Sequence, residues 1–176
     1  ELVRDMFVFS CYTGLAYIDI FNLTKDQLSK GIDGNLWIIT NRQKTGSASN
    51  IPLLPGAEEI IKKYENHPVS SNSGKLLPVY TNQKVNEYLK TIAENCGINK
   101  KLTFHCARHT FATTVTLGNN VSMESVSKML GHKSIKTTQH YAKILDSKVS
   151  QDMGNLKVVL QRKNEVQTEN EKKLGS

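Results

Sequence analysis

The sequence predicts a mainly helical domain carrying one small antiparallel β-sheet. Three observations support this. Apolar residues recur at helical spacing through most of the 176 residues. Two short runs rich in apolar and β-branched residues, 36–40 and 50–53, flank the turn Lys44-Thr45-Gly46-Ser47 as the arms of a hairpin would. No internal repeat is present, so the pattern describes one domain rather than an array.

The elements follow in order. Leu2, Val3, Met6, Phe7 and Phe9 form an apolar helix that stops near Gly14, and 16–23 reads as a short second helix. Asp33-Gly34-Asn35 turns the chain into the first hairpin arm. Pro55 sits in the first turn of a helix over 55–64, and the polar stretch 66–75 reads as a loop. Val85, Leu89, Ile92 and Ala93 define one face of a helix over 81–96, closed by Gly97. Further helices are expected over 104–117, closed by Gly118, and over 122–130, capped by Ser122 and stopped by Gly131. Two more are expected over 134–143 and 146–156. From Val158 the periodicity decays into Gln, Asn, Glu and Lys, a tail that is either disordered or helical against a partner.

Composition excludes several classes. Hydrophobic residues make up 38%, and no run approaches the roughly 18 apolar residues of a membrane span. Three scattered cysteines, Cys11, Cys96 and Cys106, fit neither a disulfide framework nor a paired-cysteine zinc site. The chain opens on Glu1, already in a helical pattern and without a leader, which is expected of a piece of a longer protein. Net charge is +7, from 23 Lys and Arg against 16 Asp and Glu. Almost all of the excess lies in residues 95–145. There Lys100, Lys101, Arg108, Lys128, Lys133, Lys136 and Lys143 face Glu124 alone. Such a block suits a polyanion, although a solvated basic face has the same composition.

The same block holds the residues with chemistry to offer: His105-Cys106-Ala107-Arg108-His109, Leu130-Gly131-His132 and Tyr141, with Lys44 upstream on the hairpin turn. No Gly-rich phosphate loop points to an NTPase, and no paired carboxylates point to two-metal hydrolysis. His105 and His109 have i,i+4 zinc spacing, but the glutamate of the HExxH pattern is missing, so no metal is expected. Arginine, histidines and lysine suit a phosphodiester, whose transition state gathers charge on its non-bridging oxygens. Arginine offers planar paired donors, histidine a hydrogen bond or a proton near neutral pH, and tyrosine a hydroxyl that can bond covalently to phosphorus.

These motifs in this order resemble the signature of the tyrosine recombinases, the phage-type integrases. His105-Cys106-Ala107-Arg108, Leu130-Gly131-His132 and Tyr141 match its HxxR, LGH and Tyr motifs. Ser134-Ile135-Lys136-Thr137-Thr138-Gln139-His140-Tyr141 resembles the approach to its nucleophile. Lys44 matches its hairpin lysine, and Thr13-Gly14-Leu15 matches the box that normally continues with arginine. The wording around that box is similar to integrases of mobile elements from the Bacteroides group. The resemblance implies the DNA breaking-rejoining fold and site-specific recombination without metal, ATP or other cofactor. It makes Tyr141 the nucleophile that forms a 3′-phosphotyrosine. Arg108, His105 and His132 become phosphate ligands, Lys44 the acid for the leaving 5′ oxygen, and His109 a structural residue. Asp19 would support Arg108 or cap a helix end. The implied partners are double-stranded DNA, a tetramer of the chain on DNA and accessory DNA-bending proteins, in the bacterial cytoplasm at the nucleoid. A type IB topoisomerase and a catalytically silent DNA-binding module remain alternatives.

One position departs from the family: Ala16 stands where its first arginine follows Thr-Gly-Leu. The chain has four arginines. Arg162 lies in the weakly patterned tail, and Arg42 shares a face of the hairpin arm with Lys44. Arg4, on a largely apolar helix, is the expected substitute. Residues 1–156 are expected to form the catalytic domain and 157–176 a tail that is unstructured or docks on a neighbouring protomer. An N-terminal DNA clamp would lie outside the chain.

Overall fold

In the computed structural model, which describes residues 1–141 and 149–162, helix α1 (Leu2–Thr13) is the central strut. Val3, Met6 and Phe9 repeat along one face of it and are buried. Against it pack α3 (Pro55–Tyr64), α5 (Asn82–Asn95) and α6 (Phe104–Thr110). Each carries an apolar stripe: Ala57, Ile60 and Tyr64, then Val85, Leu89 and Ala93, then Phe104 and Ala107. Helix α2 (Tyr17–Asn22) follows α1 at once and buries Ile20 in the same core.

The sheet has three antiparallel strands in the order β1 (Leu28–Lys30), β2 (Leu36–Asn41), β3 (Ala48–Pro52). Ile38 pairs with Ile51, and both side chains enter the main core. The expected hairpin is present, with β3 beginning two residues earlier than its apolar run. Strand β1 carries no sequence signal, because three residues are too few to show alternation.

Three other expectations are corrected. The stretch 66–75 contains a short helix, α4 (Pro68–Ser73). Pro68 enters its first turn, and the His67 ring Nδ1 accepts from the Val69 N–H at 3.3 Å. The helix expected over 104–117 is α-helical only to Thr110. It continues as a π-turn over Phe111–Thr116 and a 3₁₀ turn over Leu117–Asn119. Thr116 Oγ1 donates to the carbonyls of Phe111 at 2.8 Å and Ala112 at 2.9 Å, a side-chain bond that suits the wider turn. The left-handed residue ending this run is Asn120, at φ 64°, rather than Gly118.

Helix α7 (Met123–Met129) is capped as expected: the Ser122 hydroxyl accepts from Ser125 N–H at 3.2 Å. With Phe111 and Ala112, its Val126 and the following Leu130 form a second core cluster, against which Tyr141 packs. Helix α8 (Ile135–Gln139) is capped by Ser134, and Tyr141 follows directly. Of the helix expected over 134–143, residues 142–143 lie outside the described residues.

The chain divides into two units at Tyr141 and Ala142. Of the second, residues 149–162 are helical and exposed along their whole length, so helix runs through the expected boundary at 156/157. Residues 146–148 of the helix expected over 146–156, and the tail from 163, lie outside the described residues. Among the described residues no helix is long and apolar enough to cross a membrane.

Two glycines join these elements at close quarters. Gly14 ends α1 at φ 70°, and a Cβ there would collide with the Phe111 ring and meet Leu130 Cδ2 at 2.8 Å. Gly131 ends α7 at φ 61°, and a Cβ there would lie 2.5 Å from Arg42 Cγ. Gly46, at φ 67° on the hairpin turn, has open space around it. Gly46→Ala should therefore lose only the left-handed backbone term, about 1–2 kcal/mol. Gly131→Ala should lose about 1–3 kcal/mol more from overpacking, and the gap between the two in denaturant unfolding checks this.

Candidate active site

Arg108 is the organising side chain. It rises from α6 into an almost closed position, 4% exposed. Nη1 donates to the carbonyl of Gly14 and Nη2 to the carbonyl of Leu130, at 2.5 and 2.7 Å. Both carbonyls belong to helix C-terminal turns, those of α1 and α7, where backbone oxygens lack intrahelical partners and the helix dipole favours a cation. One guanidinium thus ties the Thr13-Gly14-Leu15 turn to the Leu130-Gly131-His132 turn. Burial and then the charge of Arg42 lower its pKa to about 10, while the Tyr141 side chain and Asp19 favour the charged form. At neutral pH it remains a full cation.

His132 leaves the α7 turn beside it. Its Nε2 lies 3.1 Å from Arg108 Nη2, and its Nδ1 lies 2.8 Å from the hydroxyl of Thr138, itself buried in α8. Arginine can only donate. Nε2 therefore accepts, and Nδ1 carries the proton that it shares with Thr138. The ring is neutral: burial, then Arg108 and Arg42, lower its pKa to about 4.

Tyr141 stands between two imidazoles. The His132 ring stacks on it at 6.1 Å between centroids, and the His109 ring meets it edge-on at 4.8 Å. His105 continues the row, 4.9 Å from His109, as the i,i+4 spacing dictates. Burial first, then His109, Arg108, Arg42 and Lys44, hold the His105 pKa below its usual value.

The hairpin closes the site from the other side. Its turn over 42–47 is fixed by Arg42 N–H donating to Ser47 O and Gly46 N–H donating to Arg42 O. Thr45 Oγ1 reaches Gly131 O at 3.5 Å, and Ser49 Oγ donates to Met129 O at 2.5 Å, so the tip rests on the end of α7. Lys44 is exposed on that tip, close enough for its charge to act on His105. Arg42 turns inward and is 8% exposed. Its Nε lies 3.1 Å from Asp19 Oδ2.

Tyr141, Arg108, His105, His132 and Lys44 thus come to one place. Asp19 lies beneath them. It accepts from Ala16 N–H at 3.3 Å, capping α2, and from Gln43 N–H at 3.0 Å, and it pairs with Arg42 as well as acting on Arg108. Arg4 is corrected. Ten residues before Gly14, it sits about 15 Å down the axis of α1. There it is held by Asp5 at 2.8 Å, in a cluster with Glu1, Lys63 and Tyr64. The arginine that reaches the site is Arg42. Its place one strand period from Lys44 is the sequence signal for it. His109, expected to be structural and hydrogen-bonded, contacts the Tyr141 ring. Among the described residues no three His, Cys, Asp or Glu side chains converge as a metal site would require.

Residues 3–148 match the phage integrase family. The chain belongs to that family. This phage integrase family chain is 31% identical over 142 residues to tyrosine recombinase XerC of Rickettsia canadensis, covering 74% of this chain and 43% of that one. It is 30% identical over 151 residues to tyrosine recombinase XerD of Lacticaseibacillus casei, covering 79% and 50%. The chain therefore spans about half the length of these curated relatives. Its fold is that of XerA recombinase, at TM-score 0.67 and 20% identity over 87% of this chain and 62% of that one. A lambda integrase dimer bound to a COC′ core site matches at TM-score 0.63 and 17% identity, over 80% and 51%.

The neutral His132 of this integrase chain has a measurable consequence. Its native pKa, about 4, lies below the ordinary imidazole value near 6.5 that it regains on unfolding. Between these values the unfolded chain binds the proton and the native chain does not. The stabilisation is complete above about pH 6.5 and is lost as pH falls toward 4. His105 contributes with the same sign. Unfolding free energy should fall on acidification below pH 6.5, with His132 supplying at most about 1.4 kcal/mol per pH unit. His132→Asn should flatten the slope in urea titrations at a series of pH values.

Proposed function

We propose that this chain is the catalytic part of a site-specific recombinase that cuts and rejoins duplex DNA through a 3′-phosphotyrosine. The observation that carries this reading is the placement of Tyr141, between the rings of His109 and His132 and against the Arg108 guanidinium. A nucleophile needs an aligned acceptor, and a phosphodiester lying on Arg108 would present its phosphorus to the phenol. Tyr141 Oη attacks and its proton passes to water, the bond to the 5′ oxygen breaks, and charge gathers on the non-bridging oxygens. Arg108 meets that charge with paired donors, and His105 and His132 add hydrogen bonds. His132, neutral before DNA arrives, becomes a donor through Nε2 by taking up a proton, which phosphate charge favours. Lys44, on the exposed hairpin tip, delivers a proton to the leaving 5′ oxygen. The 5′-hydroxyl of a partner strand reverses the step, so the phosphotyrosine conserves the bond and no nucleotide is hydrolysed.

The lambda integrase dimer bound to its COC′ core site supports a DNA partner. In this proposal the chain acts as a tetramer on DNA at the nucleoid, with accessory DNA-bending proteins. It integrates or excises a mobile element of the kind found in the Bacteroides group. Residues 1–156 act as the catalytic domain, 157–176 dock on a neighbouring protomer, and a DNA clamp lies outside the chain.

A pool of nicked duplexes, randomised about the nick, tests the reading. Cleavage beside a nick releases a short 5′-hydroxyl strand and traps the enzyme on DNA. The chain should form a denaturation-resistant adduct that Tyr141→Phe abolishes; no adduct, or one that survives the substitution, would contradict it. Lys44→Ala should slow trapping, and a 5′-bridging sulfur should restore it. A thiol, with a pKa near 8.5, leaves without a proton donor.

A further inference from the structure

Among the described residues, the site holds an uncompensated buried charge. Arg42 and Arg108 are 8% and 4% exposed, and the charge of Arg42 disfavours protonation of Arg108. The carboxylate acting on both is Asp19. Among the described residues, two guanidiniums against one carboxylate leave one positive charge in excess, in a setting where an unpaired charge is costly. Moreover, the Asp19 carboxylate is already shared. Its oxygens accept from the backbone of Ala16 and Gln43. Arg42 Nε is 3.1 Å from Asp19 Oδ2, but its N–H is not directed along that line. Among the described residues neither Nε nor Nη1 of Arg42 has a hydrogen-bond partner. Buried guanidinium donors are seldom left unmade.

Arg42 is also held in place from outside its own charge. The hairpin turn fixes its backbone on both sides, and its aliphatic stem lies against Gly131, where any side chain would displace it. The two histidines beside Arg108 both feel the charge of Arg42, so its buried guanidinium lies within electrostatic reach of Arg108, His105 and His132. At Ala16, where the resemblance leads one to expect an arginine, the chain has a methyl group at the N-terminus of α2.

We infer that Arg42, entering from the β2–β3 hairpin, is the second guanidinium that binds the scissile phosphate in place of an arginine at position 16. One phosphodiester anion would neutralise the excess charge and take the unpaired donors. Asp19 is then a positioning residue, fixing the Arg42 guanidinium while capping α2.

This inference rests on the proposed strand cleavage, and its test separates the two. The duplex that traps the parent chain is offered to the full chain carrying Arg42→Ala, Arg42→Lys or Arg4→Ala, each with the natural phosphate or a neutral methylphosphonate at the scissile position. Arg42→Ala should trap about 10²–10³-fold more slowly on phosphate. Most of that loss should disappear on methylphosphonate, which has no anionic charge to neutralise. A residue that merely holds the fold together would lose rate on both. Arg42→Lys keeps a charge without the planar paired donors and should also be slow on phosphate and near parental on methylphosphonate. That comparison decides the matter if Arg42→Ala fails to melt cooperatively. Arg4→Ala should match the parent. Trapping by both Arg42 variants at the parental rate, or equal losses on both substrates, overturns the assignment while leaving strand cleavage standing. Absence of any adduct with the parent chain overturns both.

Discussion

The site depends on one bonded arrangement: a buried arginine satisfying the open carbonyls of two helix ends. Arg108 takes the carbonyls of Gly14 and Leu130, so the last turns of α1 and α7 share a single donor group. Both turns end in left-handed glycines with no room for a Cβ, and the second carries His132 into contact with Arg108. The rest follows geometrically. Leu130 and Phe111 form the small core on which Tyr141 packs, and the hairpin leans on Gly131.

This arrangement explains why chemically different motifs are needed together. The Thr-Gly-Leu turn supplies a carbonyl, with Ser10 and Thr13 side chains bonding the surrounding backbone at 2.7 and 2.8 Å. The His-Cys-Ala-Arg-His segment supplies the guanidinium and two neighbouring imidazoles, His105 and His109. The Leu-Gly-His turn supplies a second carbonyl and a ring whose tautomer is set by Thr138. Each is a scaffold feature first, and the proposed chemistry uses what the scaffold leaves exposed. The basic character of residues 95–145 divides in the same way: Arg108 is buried within the frame, whereas Lys133 and Lys136 lie on the surface.

Much of this was legible in the sequence. The hairpin, the helices over 55–64 and 81–96 and the mainly helical class follow from period, caps and glycines. Convergence of Tyr141, Arg108, His105, His132 and Lys44 could be read from motif order. The π-turn at Phe111–Thr116 could not, since it depends on a threonine side chain bonding back one residue further than an α-helix would place it. Nor could the separation of Arg4 from Arg42. Both lie in patterned segments, and the decision rests on three-dimensional facts: Asp5 pairs with an exposed Arg4, while Asp19 and Gly131 enclose Arg42. Strand β1 and helix α4 were too short to leave a periodic trace.

The central claim is that the tyrosine at the Arg108 centre is the group that bonds to DNA. The chain has six tyrosines, of which Tyr12, Tyr17, Tyr64, Tyr80 and Tyr88 lie elsewhere in the fold. Nuclease trimming and tandem mass spectrometry of the trapped adduct would locate the attached nucleotide. Nucleotide mass confined to the peptide containing Tyr141 is the predicted result; the same mass on any other residue would contradict the account.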